Sequence, residues 1–311
     1  MPRRATAGLL LLAGSAVSVP FAAGYLLPQR GFVLLGIAAF AGYSAFALAV
    51  VLAVAAAVRQ WPVALGLAVG LLAQGAVLAP AYVADDPLKG PRLVVMTTNV
   101  FFGLADLEAV VRTVRERRVD VLGVQELTPA AVEGLRAAGL EELLPHSTLR
   151  PAPSATGAGM WSRFPGSAVP TWPSTFEGAA TDVEVGGMRL RIRVLHPPPP
   201  RGALVQTWQR NYDGFVDAAR REPAGNVLLL GDFNASVHHR RLRELMGDRW
   251  RDAGAIAGAG LVRTWGPRVK LLDPDHVLVD QAMGVAAFDL VSVRGSDHRA
   301  VVATVVLATR R

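Results

Sequence analysis

The sequence contains no cysteine, which excludes disulfides and thiolate metal sites and leaves the redox compartment open. Acidic residues and lysine are absent from residues 1–84, where the only charges are Arg3, Arg4, Arg30 and Arg59. With so little to face water, that segment cannot be a soluble helical domain. Lysine is scarce everywhere: Lys89 and Lys270 are the only two among 32 basic residues, a coding bias towards arginine. A clear basic excess, usual in a domain that grips nucleic acid, is also missing. The whole chain carries +7, but residues 85–311 hold 28 basic and 25 acidic residues, a balance of +3.

What fills the N-terminal part is three apolar stretches, Ala5–Leu27, Gly31–Val58 and Trp61–Val83. About 20 apolar residues suffice for a helix to cross a bilayer, so the sequence predicts three transmembrane helices within residues 1–84. An odd number of spans puts the chain ends on opposite faces. Arg3, Arg4 and Arg59 then lie inside against Arg30 outside, in keeping with the positive-inside rule. Lys89 and Arg92 weaken that count, with Asp85 and Asp86 preceding them. If "MPRRATAGLLLLAGSAV" is instead a cleaved signal peptide, two spans remain and the region after Val83 still ends outside. Either way, residues 85–311 are expected on the extracytoplasmic face of the cell membrane.

A polar linker with two prolines, residues 85–91, marks the domain boundary. From 92 to 311 strand-like and helix-like patterns alternate, without an internal repeat. "RLVVMTTNV" (92–100), "VDVLGVQEL" (119–127), "GAGMWS", "MRLRIRVLH", "NVLLLGD", "DHVLVD", "AAFDLVSV" and "AVVATVVLA" read as strands. Asp106 caps a helix with Leu107, Val110, Val111 and Val114 on one face, Thr128 and Pro129 start another that Gly139 stops, and "TWQRNYDGFVDAARR" is a third. The mixture predicts one α/β domain with helices covering a sheet core.

Apolar strands repeatedly end in polar groups: Asn99, Glu126, His196, Asp232 with Asn234, Asp275 with His276, and Asp297 with His298. Sites in α/β folds form where strand ends meet loops, so these groups are expected to converge at one edge. In an extended segment residues two apart share a face. That places Asp232 and Asn234 together, with Phe233 turned into the core. His276 either serves the site or only packs beside Asp275. His146, His238 and His239 fall outside these elements and read as surface or helix-start residues.

"TTNVF", "VQEL", "GDFN" and "GSDHR" occur in that order, each after a strand. The joint pattern resembles the endonuclease/exonuclease/phosphatase superfamily, the DNase I-like metal-dependent phosphoesterases, over essentially all of residues 92–308. The resemblance implies a two-sheet α/β sandwich covered by helices. It implies Glu126 as principal metal ligand, with Asn99 and Asp297 completing the metal site. Mg²⁺ suits such oxygen ligands, with Mn²⁺ as the alternative, while zinc is a poor competitor here. Asp232 matches the residue that orients or deprotonates the attacking water, and Asn234 an amide that bonds a phosphate oxygen. His298 matches the closing histidine, held in one tautomer by Asp275, and His196 a group that stabilises the transition state. Asp232 and His298 both fit the part of general base. "TWGP" (264–267) resembles the segment that precedes this Asp, and the alignment of "DHVLV" favours Asp275 over Asp273. Two departures stand out. Val100, Phe101 and Phe102 occupy a stretch where several family nucleases carry an acid, and "HPPPP" (196–200) replaces longer substrate-gripping loops.

Three apolar spans ahead of such a domain resemble the teicoplanin-resistance class of actinobacterial membrane proteins. That implies membrane lipids as neighbours and a lipid-linked phosphate or pyrophosphate, such as undecaprenyl pyrophosphate, as substrate. A linker of about eight residues at roughly 3.5 Å each reaches only ~28 Å, which keeps the site near the headgroups. One alternative is an anchored nuclease or general phosphodiesterase, for which Arg189, Arg191, Arg193 and Arg201 are the candidate basic stripe. Another is an inactive module that binds a cell-wall ligand. Oligomeric state is left open.

Overall fold

The computed structural model describes residues 3–29, 31–86 and 88–308. Arg30, assigned above to the outer face, Pro87 of the linker and residues 309–311 at the end of the expected domain lie outside them.

Two N-terminal helices are long and apolar enough to cross a membrane: Arg3–Leu26, and Trp61–Leu78 continued by the 3-10 turn Ala79–Tyr82. The stretch expected as the second span, Gly31–Val58, is broken. It consists of Phe32–Ala39, a 3-10 turn at Ala41–Tyr43 and Ser44–Ala57, with a bend of 45° between its two parts. The break has a packing cause. Leu35 is buried in a cluster with Trp208 and Phe215 of the second half of the chain, so the first piece lies on that domain. Gly42 passes so close that a Cβ there would meet Leu261 Cδ1 at 2.8 Å and His238 Nε2 at 3.1 Å. Ser44–Ala57 alone, at 14 residues, is about 21 Å long, short of the ~30 Å hydrocarbon core, but taken with Phe32–Ala39 the bent pair is long and apolar enough to be one broken span or a re-entrant loop.

The remaining chain forms two six-stranded sheets. The first contains β1 (Arg92–Asn99), β2 (Val121–Gln125), β3 (His146–Arg150) and β4 (Ala158–Ser162). The second contains β5 (Gly166–Ala168), β6 (Ala179–Val185), β7 (Met188–Leu195), β8 (Asn226–Asp232), β9 (Trp250–Asp252) and β10 (Asp275–Asp280). The last two strands, β11 (Gly284–Ser292) and β12 (Arg299–Val306), return to the first sheet. The orders are β11-β12-β1-β2-β4-β3 and β5-β6-β7-β8-β10-β9. Each sheet has a single parallel pair, β1 with β2 and β7 with β8. The eight expected strands are all present. The other four, β3, β5, β6 and β9, went unrecognised, three of them being short or largely exposed.

The core is layered. Leu93, Val95, Val121, Ile192, Val194, Leu228, Leu230, Val277, Val279 and Val301 meet between the sheets. Met96, Leu122, Val124 and Val302 face the helices Leu107–Glu116 and Pro129–Ala137. Val227, Leu229 and Leu278 face Leu204–Arg221 and Arg240–Met246. The expected caps are formed: Asp106 accepts from the Ala109 N–H at 2.9 Å and Thr128 from Ala131 at 3.1 Å, and Gly139 is left-handed at φ 86°. A strand buried on both faces needs apolar residues at every position, which is why the strands read as unbroken aliphatic runs.

Candidate active site

Alternation along each strand sorts the polar ends. Asn99 is in phase with Val95, His196 with Val194, Asp232 with Leu230, and Asp275 with Val277, all of which point between the sheets. Register completes the arrangement, because Asp275 pairs directly with Asp232 across β10 and β8. These four side chains therefore gather at one end of the inter-sheet core, each nearly or fully buried.

Asn99 Nδ2 donates to Glu126 Oε1 and to Asp232 Oδ2, both at 3.1 Å, and so sits between two carboxylates. Its Oδ1 accepts the Phe101 N–H at 2.9 Å, so the amide nitrogen is what faces the acids. Glu126 leaves β2 with a left-handed backbone at φ 56°, an unusual conformation for a residue with a Cβ. Its Oε2 accepts the Phe102 N–H at 2.9 Å. Where several family nucleases carry an acid, residues 100–102 instead offer a backbone N–H that holds Glu126 Oε2 in place. Burial raises the Glu126 carboxyl above its ordinary range, partly offset by Asn99 and Phe102.

The second carboxylate group surrounds His298. Asp275 Oδ2 lies 2.8 Å from His298 Nδ1, and Asp232 Oδ2 and Asp297 Oδ1 lie 3.7 and 3.8 Å from Nε2. Burial works against a charged imidazole here, but Asp275, Asp232 and Asp297 outweigh it and lift His298 to about 9. His196 Nε2 is also 3.7 Å from Asp232 Oδ2. Burial and the nearby His298 push it down to about 3, so that contact is not an ion pair. Asp232 itself is driven up to about 7, chiefly by burial.

Asn234 reaches the site by a different route from the one expected. The chain turns left-handed there, at φ 47°, so Asp232 and Asn234 do not share an extended segment. The Asn234 N–H donates to Asp232 Oδ1 at 2.9 Å and its Nδ2 to the Pro197 carbonyl at 3.0 Å. Phe233 does turn into the helix-side core. Gly231 before it is required: a Cβ there would lie 1.9 Å from the Leu195 carbonyl.

Three supporting groups were not singled out from sequence. Trp265 Nε1 donates to Asp297 Oδ2 at 2.9 Å, and its backbone bridges His298. Ser296 Oγ donates to the Asn99 carbonyl at 2.8 Å and accepts the His298 N–H at 3.0 Å, joining the two halves of the site. Phe176 packs edge-on to His196 at 5.2 Å. The "TWGP" and "GSDHR" segments were visible, but nothing in them signals these contacts.

The structure decides the open alternative for His276, bears out His146 as a surface residue, and corrects the expectations for His238, His239 and the arginines. His276 is in phase with Leu278 and faces the helices, with Nδ1 2.8 Å from Asp252 Oδ2 and Nε2 2.8 Å from the Ala235 carbonyl. It does not enter the site. His238 and His239 are buried, not on the surface, although His239 does precede the helix Arg240–Met246. His146 is exposed. Arg191 and Arg193 share a face, but the wrong one for a substrate. They are out of phase with His196 and bind Glu222 at 2.8 and 2.7 Å, while Asp182 takes Arg189 and the other side of Arg191.

The donor set suits a hard divalent cation. Glu126, Asp232, Asp275 and Asp297 concentrate carboxylate oxygens around the Asn99 amide and the His298 and His196 imidazoles, and among the described residues buried Asp275 Oδ1 and Asp297 Oδ1 have no hydrogen-bond partner. Unpaired buried carboxylate oxygens are costly unless a cation takes them up. Asp232, Asp275 and His298 offer ligand atoms within 4.8 Å of one another.

The endonuclease/exonuclease/phosphatase family model matches residues 96–298, from β1 to the closing histidine. No curated protein matches the chain significantly. Among solved structures, an AP endonuclease from Archaeoglobus fulgidus is similar with a TM-score of 0.58 at 13% identity, covering 70% of this chain and 100% of that one. D. rerio TDP2 complexed with single-strand DNA product gives 0.57 at 16%, covering 69% and 98%. Staphylococcus aureus beta toxin with bound magnesium ions gives 0.52 at 14%, covering 68% and 99%. Members are typically metal-dependent phosphoesterases with this two-sheet fold, and from β1 to His298 this chain belongs to the endonuclease/exonuclease/phosphatase family.

Proposed function

We propose that the protein is a membrane-anchored, Mg²⁺- or Mn²⁺-dependent phosphohydrolase that acts outside the cytoplasm on a lipid-linked phosphate or pyrophosphate, undecaprenyl pyrophosphate being one such compound. Residues 1–84 serve as the anchor, 85–91 as the linker and 92–311 as the catalytic domain. The observation that carries the reading is that the segments bearing site residues also rest on the apolar helices. The turn after Asn234 brings His238 Nδ1 to 2.5 Å from the Tyr25 hydroxyl, and the loop after Trp265 offers the Leu271 carbonyl to the Tyr43 hydroxyl at 2.7 Å. Supporting the orientation, Gln60 Nε2 donates to the Arg3 carbonyl at 3.0 Å, so Arg3 and Arg59 gather at the end of the helices away from the catalytic domain, as the positive-inside rule requires of a cytoplasmic end. The teicoplanin-resistance resemblance agrees with this setting.

Glu126 and Asp297 would hold the cation, with Asn99 spacing Glu126 from Asp232. When bound, it supplies neutralisation of the phosphate charge. Asp275 fixes the His298 tautomer so that Nε2 points at Asp232, which lets His298 donate a proton to a phosphate or leaving oxygen. Asp232, in its carboxylate form, accepts a proton from the attacking water, and burial, which raises its pKa to about 7, makes it the stronger base. His196, held neutral, donates Nε2–H to charge that builds on the phosphate, and the Asn234 amide binds an equatorial oxygen. A nuclease reading loses three of the four arginines of its basic stripe, because Arg191 and Arg193 are committed to Glu222 and Arg189 to Asp182, which leaves only Arg201.

Full-length protein in detergent with Mg²⁺ or Mn²⁺ should release phosphate from an isoprenyl pyrophosphate. Glu126→Ala and His298→Ala should each lower kcat by about 100-fold or more, and chelation should abolish turnover. Rapid cutting of plasmid DNA without lipid turnover would overturn the proposal in favour of the nuclease, and absence of any metal-dependent hydrolysis would favour the binding module.

A further inference from the structure

Between the broken second apolar segment and the end of the third lies a groove of about 590 Å³, within the roughly 300–1,000 Å³ typical of small-molecule sites. Its walls include Gly42 and Phe46 from one segment, Gly75 and Leu78 from the other, and Leu261 and Arg263 from the loop after β9. Arg263 is, among the described residues, the only charged one lining it. Among the described residues its guanidinium has no carboxylate partner, and the side chain is exposed. The same loop continues to Trp265, which holds Asp297 and bridges His298. Two residues of extended chain span about 7 Å, so the charged wall of the groove and the wall of the active site are neighbours on one strand of backbone.

We propose that this groove receives the hydrocarbon chain of the phosphorylated lipid being hydrolysed, with Arg263 meeting its anionic headgroup. The inference rests on the lipid-phosphate reading above and adds where the chain is held. Three features favour this occupant. The lining is aliphatic and aromatic and belongs to segments apolar enough to contact lipid. A cation without an anionic partner stands at the margin of an otherwise apolar cleft, which matches an amphiphile with a negative head better than a peptide or a neutral molecule. Tyr43 and Tyr82 also line the groove, and tyrosine is enriched at the level where headgroups meet acyl chains.

Gly75 provides the test, because nothing lies within 4 Å of the position its Cβ would take. Gly75→Phe should fill the groove while leaving the helix intact. In phosphatidylcholine nanodiscs, a farnesyl pyrophosphate bearing a diazirine on its chain should crosslink to Phe46 or Leu78. Unlabelled farnesyl pyrophosphate should suppress that crosslink, as should Gly75→Phe. In turnover, Gly75→Phe should raise KM for farnesyl pyrophosphate about tenfold more than for isopentenyl pyrophosphate, equivalent to losing roughly two buried methylenes. Arg263→Gln should raise KM for both, with kcat retained. Crosslinks that map elsewhere, or that persist unchanged in Gly75→Phe, would overturn the groove, as would crosslinks that excess unlabelled farnesyl pyrophosphate fails to suppress. The two readings fail separately: suppressible groove crosslinks without hydrolysis would retain the groove and remove the enzyme activity, and hydrolysis with equal KM changes for both chain lengths would do the reverse.

Discussion

His276 and Asp275 are adjacent yet serve different parts of the molecule, because one position along a strand reverses the face. Asp275 points between the sheets and fixes His298, whereas His276 points to the helix side and pairs with Asp252. Burial opposes a charge on His276, but Asp252 and Asp273 more than compensate and raise it from 6.5 to about 9. A folded-state pKa above the unfolded value means the native state holds the proton more tightly. The resulting stability is fully present below about 6.5 and is lost as pH rises through about 9. Metal-free protein should therefore show a falling Tm across that window. His276→Gln should flatten part of the fall, and a variant with the wild-type slope would assign the dependence elsewhere. His298 contributes in the same direction, so the two histidines are separable only by comparing the variants.

At the level of elements, β7 shows how one strand serves two purposes. Its even-numbered residues, Leu190, Ile192 and Val194, fill the inter-sheet core and lead to His196, while Arg191 and Arg193 lie against Glu222 beyond the end of the helix Leu204–Arg221. Arg193 and Glu222 are 5% and 7% exposed, and Trp172 Nε1 also donates to Glu222 at 3.0 Å. Removing one member of such a buried network leaves an uncompensated charge. Glu222→Ala should cost about 3–5 kcal/mol in urea unfolding, with kcat of the folded fraction retained. A loss of turnover without a loss of stability would return the arginines to a substrate role. The sequence showed that these arginines share a face, but Glu222 is a partner set by helix docking and could not be read from the strand.

For the whole molecule, the lack of cysteine becomes an experimental advantage, since any introduced thiol is unique. Ala224 is exposed on the catalytic domain and Arg59 is exposed at the opposite end of the apolar helices. In intact cells a membrane-impermeant maleimide should label Ala224→Cys directly and Arg59→Cys only after permeabilisation. The reverse pattern would place the catalytic domain in the cytoplasm and remove the extracytoplasmic proposal. The anchor is also more than a tether. Leu35 enters the core cluster of the catalytic domain and Gln29 Oε1 accepts the Arg240 N–H at 2.9 Å, while the linker adds Asp85, paired with Arg251 at 2.6 Å.

The sequence by itself determined the alternation of helix and strand, the strand-end positions of Asn99, Glu126, His196, Asp232, Asp275 and His298, and the apolar character of the first third. These are local properties, set by periodicity and by the residue types at strand termini. Only the tertiary structure decided which strand ends meet. The Asp232–Asp275 register and the contact of Asn99 with both Glu126 and Asp232 arise from pairing and packing between residues more than 25 positions apart. The left-handed turns at Glu126 and Asn234, the face on which His276 and the arginines lie, and the bend in the second apolar segment were likewise invisible, because each depends on what the rest of the fold places beside it.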